Sequence, residues 1–280
     1  LPPKLYLLFF LSLPVFQNFY LGQINLLLLI CVGEFWRAVL SERYYRAGLW
    51  LGGLLLKPQL LILIVPFLLI RRSLKTFAGF AVSAFAIMAI SLSLIRVEGF
   101  RTLANIIKVS AQGGVSSMPM SMINWRMLGL NISALTSASI GWAVIIIGTL
   151  FTSYITLKTF SRKTPSSPNT ETIALFGILA ATLSVTFHAH SHLSIILIPP
   201  IIYLLISKRF DKNLFYMWVF IPVFINFSKF VLTGFQFKLN IGELSNIIRF
   251  LNNLAYGFPL FVLNLAILWW TIKKYNQIIN

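Results

Sequence analysis

The sequence predicts an all-α protein, a polytopic bundle of about ten membrane helices with some of them short and paired, and three observations carry that expectation. Hydrophobic residues make up 58% of the 280 residues and charged residues only 10%, against roughly 25% charged in soluble globular proteins. Long apolar runs recur along the chain, and a helix needs about 20 apolar residues to cross a hydrocarbon core in which unpaired backbone is not tolerated. The 23 basic residues outnumber the 6 acidic ones for a net charge of +17, and they gather in short clusters between the apolar runs. In that position they act as orientation signals, so nucleic acid is excluded as a partner and membrane lipids take its place. The single cysteine, Cys31, lies inside an apolar run and excludes an internal disulfide or a cysteine zinc cluster.

Taken in order, Leu5–Phe16 is short enough to be the end of a helix that begins before Leu1. The chain also opens without methionine or a signal-peptide pattern, so the expectation is the later part of a longer protein. Ile24–Leu40 reads as a span. Gly48–Ile70 has the length of one span, yet Arg37, Arg43 and Arg46 precede it and Arg71, Arg72 and Lys75 follow it. Both clusters belong in the cytoplasm, which one crossing cannot deliver. Lys57-Pro58 at the midpoint breaks the hydrogen-bond ladder. The segment therefore reads as two short helices, Gly48–Leu56 and Gln59–Ile70, meeting at an apex inside protein or beside water, with a single kinked span as the alternative.

Thr76–Ile95 and Ala138–Lys158 are spans, followed by a linker, SRKTPSSPNTE, flexible by composition. Thr172–Phe187 and Leu193–Ile206 form a helical hairpin around the polar run HAHSH, and Leu214–Leu232 and Gly257–Ile272 complete the set. The whole of 1–280 is one transmembrane domain with two long outer loops, 96–137 and 233–256. With this arrangement 15 of the 23 basic residues, among them Lys4, Lys163 and Lys208, lie on the cytoplasmic side with both chain ends. The outer side receives the other 8, including Lys57, Arg126, Lys238 and Arg249. No internal repeat is visible, which counts against transporters built from duplicated halves.

Ionisable groups at membrane depth are costly and so mark sites. Lys57, followed by Gln59, sits in the middle of an apolar segment beside a helix break and suits a phosphate; a lysine snorkelling to the interface is the alternative. His188, His190 and His192 share one face of an extended turn, and contact with a phosphate or sugar, a zinc site and a plain polar loop all stay open. Gln23 and Asn25 stand at the outer start of a helix, either satisfying its N-terminus or facing an anion. In Asn124-Trp125-Arg126, Arg126 with the tryptophan can clamp a phosphate or stack on a sugar, or anchor at the interface. Glu34 pairs with Arg37 one turn on, and Asn131-Ile132-Ser133 matches a glycosylation sequon. There is no P-loop, no dinucleotide glycine fingerprint and no Gly-x-Ser-x-Gly.

The ordered set of Pro14, GQIN at 22–25, GLWLGGLLLKPQ at 48–59, the pair Arg71-Arg72, NWR at 124–126 and HAHSH at 188–192 resembles the polyprenol-phosphate-mannose-dependent glycosyltransferases, more narrowly glycosyltransferase family 87. The resemblance covers about residues 5–210 and implies a GT-C-type helical membrane enzyme of a bacterial plasma membrane with an extracytoplasmic active site. It implies transfer of a hexose, mannose above others, from a polyprenyl-phosphate-linked sugar donor to a lipid or glycan acceptor hydroxyl. Lys57, Arg126 and the three histidines then bind the donor phosphate or sugar with Gln23, Asn25 and Gln59. No cofactor is implied, though a divalent cation stays open. The family's catalytic aspartate belongs to a loop that precedes Leu1, with Glu98 or Glu243 as substitutes, because the single aspartate, Asp211, falls on the cytoplasmic side. A transporter or flippase for an anionic lipid or solute is the competing class, using the same cations without a base.

Overall fold

In lipid a backbone can pair only with itself, and the chain answers with helices throughout. The computed structural model describes residues 3–71, 73–111, 118–162, 167–239 and 246–279. Expectations that concern Arg72, Lys163 and Glu243, and the side chains of Lys4, Lys238 and Arg249, lie outside the described residues. Among the described residues every regular element is helical. The α-helices are α1 (Pro3–Leu11), α2 (Leu13–Tyr20), α3 (Asn25–Leu40), α4 (Tyr44–Leu51), α5 (Leu61–Ile70) and α6 (Leu74–Ala111). They continue with α7 (Trp125–Leu135), α8 (Ala138–Phe160), α9 (Pro168–Val185), α10 (Ile198–Ile206), α11 (Lys212–Leu239) and α12 (Asn246–Ile279). Four stretches within them are long and apolar enough to cross a membrane: Leu74–Ile106, Ala138–Phe160, Lys212–Val231 and Leu254–Ile279. The chain is a membrane helix bundle.

At the centre stands α9, whose residues from Thr172 to Val185 are all buried. Beyond Glu171 in its first turn, its sequence has no polar face, only Ala, Gly, Ser and Thr among Phe176 and large aliphatics, and a helix apolar all round belongs inside. It packs against α12, α8, α5, α10 and α3. The small residues let neighbours close in: a Cβ at Gly177 would meet the Phe160 ring at 2.4 Å. Small residues also fix the crossing of α4 on α6, where Gly48 and Gly52, four apart, face Gly79 and Ser83, again four apart. A Cβ on Gly48 would lie 2.0 Å from the Thr76 carbonyl oxygen, and one on Gly79 would lie 2.1 Å from that of Tyr45. Where lipid removes the hydrophobic drive between helices, such close backbone approach supplies the packing.

The segment 48–70 is a hairpin and not a kinked span. Tyr44 at one end of it and Arg71 at the other line the same cavity, so the chain returns to the side from which it came. The first regular stretch is two helices separated at Ser12, with Pro14 in the first turn of α2, where a missing N–H costs nothing. Beyond Ile95 the chain stays helical: α6 runs 38 residues, about 57 Å at 1.5 Å per residue, against roughly 30 Å of hydrocarbon. The break comes at Arg96, whose φ of 53° and ψ of −170° interrupt the ladder. The stretch 97–111, read from sequence as loop, is thus a second helical piece, with α7 following inside the same interval. The sequon is also corrected, because Asn131 is buried and donates to the carbonyls of Met120 and Met127, both at 2.9 Å.

Candidate functional site

Three segments distant in sequence meet at one end of the bundle. The first is the hairpin apex. After α4 the backbone tightens into a 3₁₀ turn over Gly52–Leu56, then breaks at Lys57 with φ −139° and ψ 78°. Pro58 opens a second 3₁₀ turn, Pro58–Leu60, that leads into α5. Proline disfavours a helical conformation at the residue before it, which helps turn Lys57 out of the ladder. Its Nζ donates to Gln23 Oε1 over a long 3.4 Å.

The second segment is the histidine turn between Val185 and the 3₁₀ helix Ser191–Leu197. Its backbone is held by every neighbour. Thr186 Oγ1 donates to the Gln59 carbonyl at 2.7 Å, and Asn124 Nδ2 donates to the Thr186 carbonyl at 2.7 Å. The Ile123 amide donates to the Ala189 carbonyl at 2.9 Å. Asn18 Nδ2 donates to the His192 carbonyl at 2.7 Å, and Ser191 Oγ bonds Gln17 Oε1. These ties use main-chain groups and hydroxyls of the turn, and its imidazoles lie against one another. The His188 and His190 ring centroids are 5.0 Å apart, and those of His190 and His192 5.6 Å.

The third segment is NWR, which the structure divides into separate tasks. Asn124 is the N-cap of α7, its Oδ1 accepting from the Met127 amide at 2.9 Å while its Nδ2 ties the histidine turn. Trp125 turns into the bundle, donating to Thr152 Oγ1 at 2.9 Å and meeting Phe261 edge-on at 5.0 Å. Trp125 is half-buried, and its indole N–H is thus committed to the bundle. Arg126 points the other way. It is 6% exposed, with its guanidinium carbon 3.8 Å from the Phe187 ring centroid. Burial first, then the positive charges of Arg126 and Lys57, holds the His188 imidazole below its ordinary pKa. Lys57 is also near enough to act electrostatically on His192.

Lys57, Arg126, the three histidines and Gln23 are thus brought together, while Gln59 contributes through its backbone carbonyl. Asn25 begins α3 but does not cap it: the N-cap is Ile24, with no side-chain cap bond. Asn25 is fully buried with neither amide atom hydrogen-bonded, and Asn18 Oδ1 is likewise unpartnered. Buried amides are costly unless paired, so these two sites call for a partner. Gln17 and Asn18 were overlooked in the sequence, and Asn124, named there only as part of NWR, was given no task of its own; Asn18, a polar residue beside an apolar run, was the readable signal.

The cluster is cationic. Among the described residues the carboxylates lie elsewhere: Glu34 pairs with Arg37 at 2.5 Å and Glu171 with Arg71 at 2.8 Å, while Asp211 caps the start of α11. Glu98 is exposed on α6. Among the described residues no group of three or more His, Cys, Asp or Glu side chains is arranged to hold a metal ion. What the arrangement can do is stabilise an anion that brings its own charge to buried donors.

Set beside known proteins, the chain matches the family model described as Glycosyltransferase family 87 over residues 1–187. No curated protein and no solved structure matches. The matched region includes Gln23, Asn25, Lys57, Gln59 and Arg126 and stops just before His188.

Proposed function

The chain belongs to glycosyltransferase family 87, and from that premise we propose that this membrane glycosyltransferase moves a hexose, mannose above others, from a polyprenyl-phosphate-linked donor to a hydroxyl of a lipid or glycan. Family membership sets aside the transporter for an anionic lipid, which the cations alone would have allowed. The observation that carries the finer reading is the convergence of Lys57, Arg126 and the histidine turn on one partly buried cluster that holds no carboxylate among the described residues.

In such a transfer the acceptor oxygen bonds to the anomeric carbon as the bond to the phosphate oxygen breaks. The phosphate leaves with the bonding pair and gains negative charge. Lys57 and Arg126 meet that charge at a site from which lipid and packed side chains exclude water, where fixed cations act most strongly. His188, kept neutral by its surroundings, offers one N–H donor to phosphate or sugar without adding charge. The helix break at Lys57 interrupts an apolar hairpin, which suits a donor whose tail stays in lipid. The acceptor hydroxyl also needs a base; no described carboxylate stands in the cluster, and the reading assigns that role to none of them. By the positive-inside tendency the cluster faces the extracytoplasmic side of a bacterial plasma membrane.

The test is sugar transfer in membranes containing the full-length protein, with radiolabelled mannose supplied either as polyprenyl-phosphate-mannose or as a nucleotide sugar under conditions that block their interconversion. Transfer from the lipid-linked donor alone supports the reading. Transfer from the nucleotide sugar alone refutes the donor class.

A further inference from the structure

At the opposite end of the bundle a second cavity of about 250 Å³ lies among α3, α4, α5, α6 and α9, room for about eight waters at roughly 30 Å³ each. We propose that it seats the headgroup of a zwitterionic phospholipid of the ethanolamine type, drawn from the leaflet at that end. The inference is independent of the sugar-transfer reading, since it concerns other residues at the other end of the chain's helices.

The cavity has two kinds of wall. Phe35, Trp36, Tyr44 and Phe67 present aromatic surface, and Arg71, Glu171, Ser73 and Thr76 present polar groups. Arg71 NH1 donates to both oxygens of Glu171, at 2.8 and 2.9 Å, its Nε donates to the Phe160 carbonyl at 3.0 Å, and its NH2 donates to Tyr275 OH at 2.6 Å. The guanidinium is therefore committed to the protein, and the ion pair leaves the cavity without net charge. A ligand held there is best matched when it is neutral overall. The Glu171 carboxylate has about four acceptor positions, of which Arg71 takes two. Together with aromatic faces this is the chemistry that holds an ammonium group.

A phosphodiester is provided for at the rim. Arg43 adjoins Tyr44 and Lys75 adjoins Thr76, and both basic residues are exposed. The exposed apolar side chains of Leu69, Ile70 and Leu74 continue from the same edge, where acyl chains would lie. Ammonium inside, phosphate at the rim and apolar tail outside is the order in which a phosphatidylethanolamine molecule would present itself. An anionic headgroup has the rim cations in its favour but no counterpart for Glu171.

The experiment is native mass spectrometry of the full-length protein released from nanodiscs that hold equal amounts of phosphatidylethanolamine and phosphatidylglycerol. The wild type should retain phosphatidylethanolamine in excess by about tenfold, and Trp36→Leu should lower the ratio about three- to tenfold, as expected for loss of a desolvated cation–π contact. Glu171→Gln keeps acceptors for Arg71 and should lower it likewise; if that variant does not fold, Trp36→Leu alone decides. Equal retention of both lipids, preference for phosphatidylglycerol, or a preference that survives Trp36→Leu would overturn the proposal.

Discussion

Arg126 and Lys57 carry the same formal charge but are not equivalent. Arg126 is a planar fork laid on Phe187, so Arg126→Lys keeps the charge and loses both the stacking and the bidentate geometry. Donor affinity should fall about three- to tenfold, read by equilibrium binding of the lipid-linked sugar; an unchanged affinity would reduce Arg126 to a packing residue. His188 makes a pH prediction with a definite sign. Its native pKa lies below the ordinary 6.5. Just below that pH the unfolded chain takes up a proton that the native turn refuses, so the unfolded state gains protons and stability declines as pH falls from about 6.5 downward. His188→Gln should flatten that part of the profile of melting temperature against pH, and an unaltered profile would show that another group titrates. The sequence disclosed Lys57, because a Lys-Pro pair inside an apolar run breaks two local rules at once. It named Arg126 as the member of NWR at the cluster but did not disclose where Trp125 goes, because the direction of a side chain on α7 depends on packing against α8 and α12.

At the scale of elements, the crossing of α4 on α6 rests on backbone contact, which a single methyl group should disturb. Gly48→Ala would place Cβ 2.0 Å from the Thr76 carbonyl oxygen and should cost about 1–3 kcal/mol through overpacking. Thermal unfolding in detergent measures it, and an unshifted transition would mean that the two helices slide apart freely. Asn124→Ala removes the cap of α7 and its bond to the Thr186 carbonyl together. The expected loss is about 1–2 kcal/mol, along with weaker donor binding as the histidine turn loosens. Hydropathy placed the long helices well, since length and apolarity are local properties. The hairpin at 48–70 was legible too, but only because charge clusters on both flanks demanded the same side. The extension of α6 past Arg96 was not. Arg96, Glu98 and Arg101 read as the end of an apolar run, whereas the backbone needs only one break at Arg96 before helix resumes.

Across the whole molecule the charges separate into two ends with different logic. The cationic cluster at Lys57 has no described carboxylate, and Asn18 Oδ1 and both amide atoms of Asn25 are buried without a hydrogen-bond partner. At the far end Arg71 joins α5, α8, α9 and α12 through Glu171, the Phe160 carbonyl and Tyr275. Its pair with Glu171 is largely buried, at 16% and 20% side-chain exposure, so Glu171→Leu alone strands a guanidinium and should cost about 3 kcal/mol. The double change Arg71→Met with Glu171→Leu should cost less than that single one, and a double variant at least as unstable as the single one would contradict this. Reading Arg71 as a positive-inside signal missed its ion pair, because Glu171 lies 100 positions away in sequence. The central claim is that the cationic end, where Lys57 and Arg126 meet the histidine turn, is built for a phosphate. The most direct measurement is equilibrium binding of sugar-free polyprenyl phosphate to the wild type and to Lys57→Gln. The account predicts about 10- to 100-fold weaker binding in the variant, the effect of losing a hydrogen bond to a charged group. Equal affinity for the two proteins would contradict it.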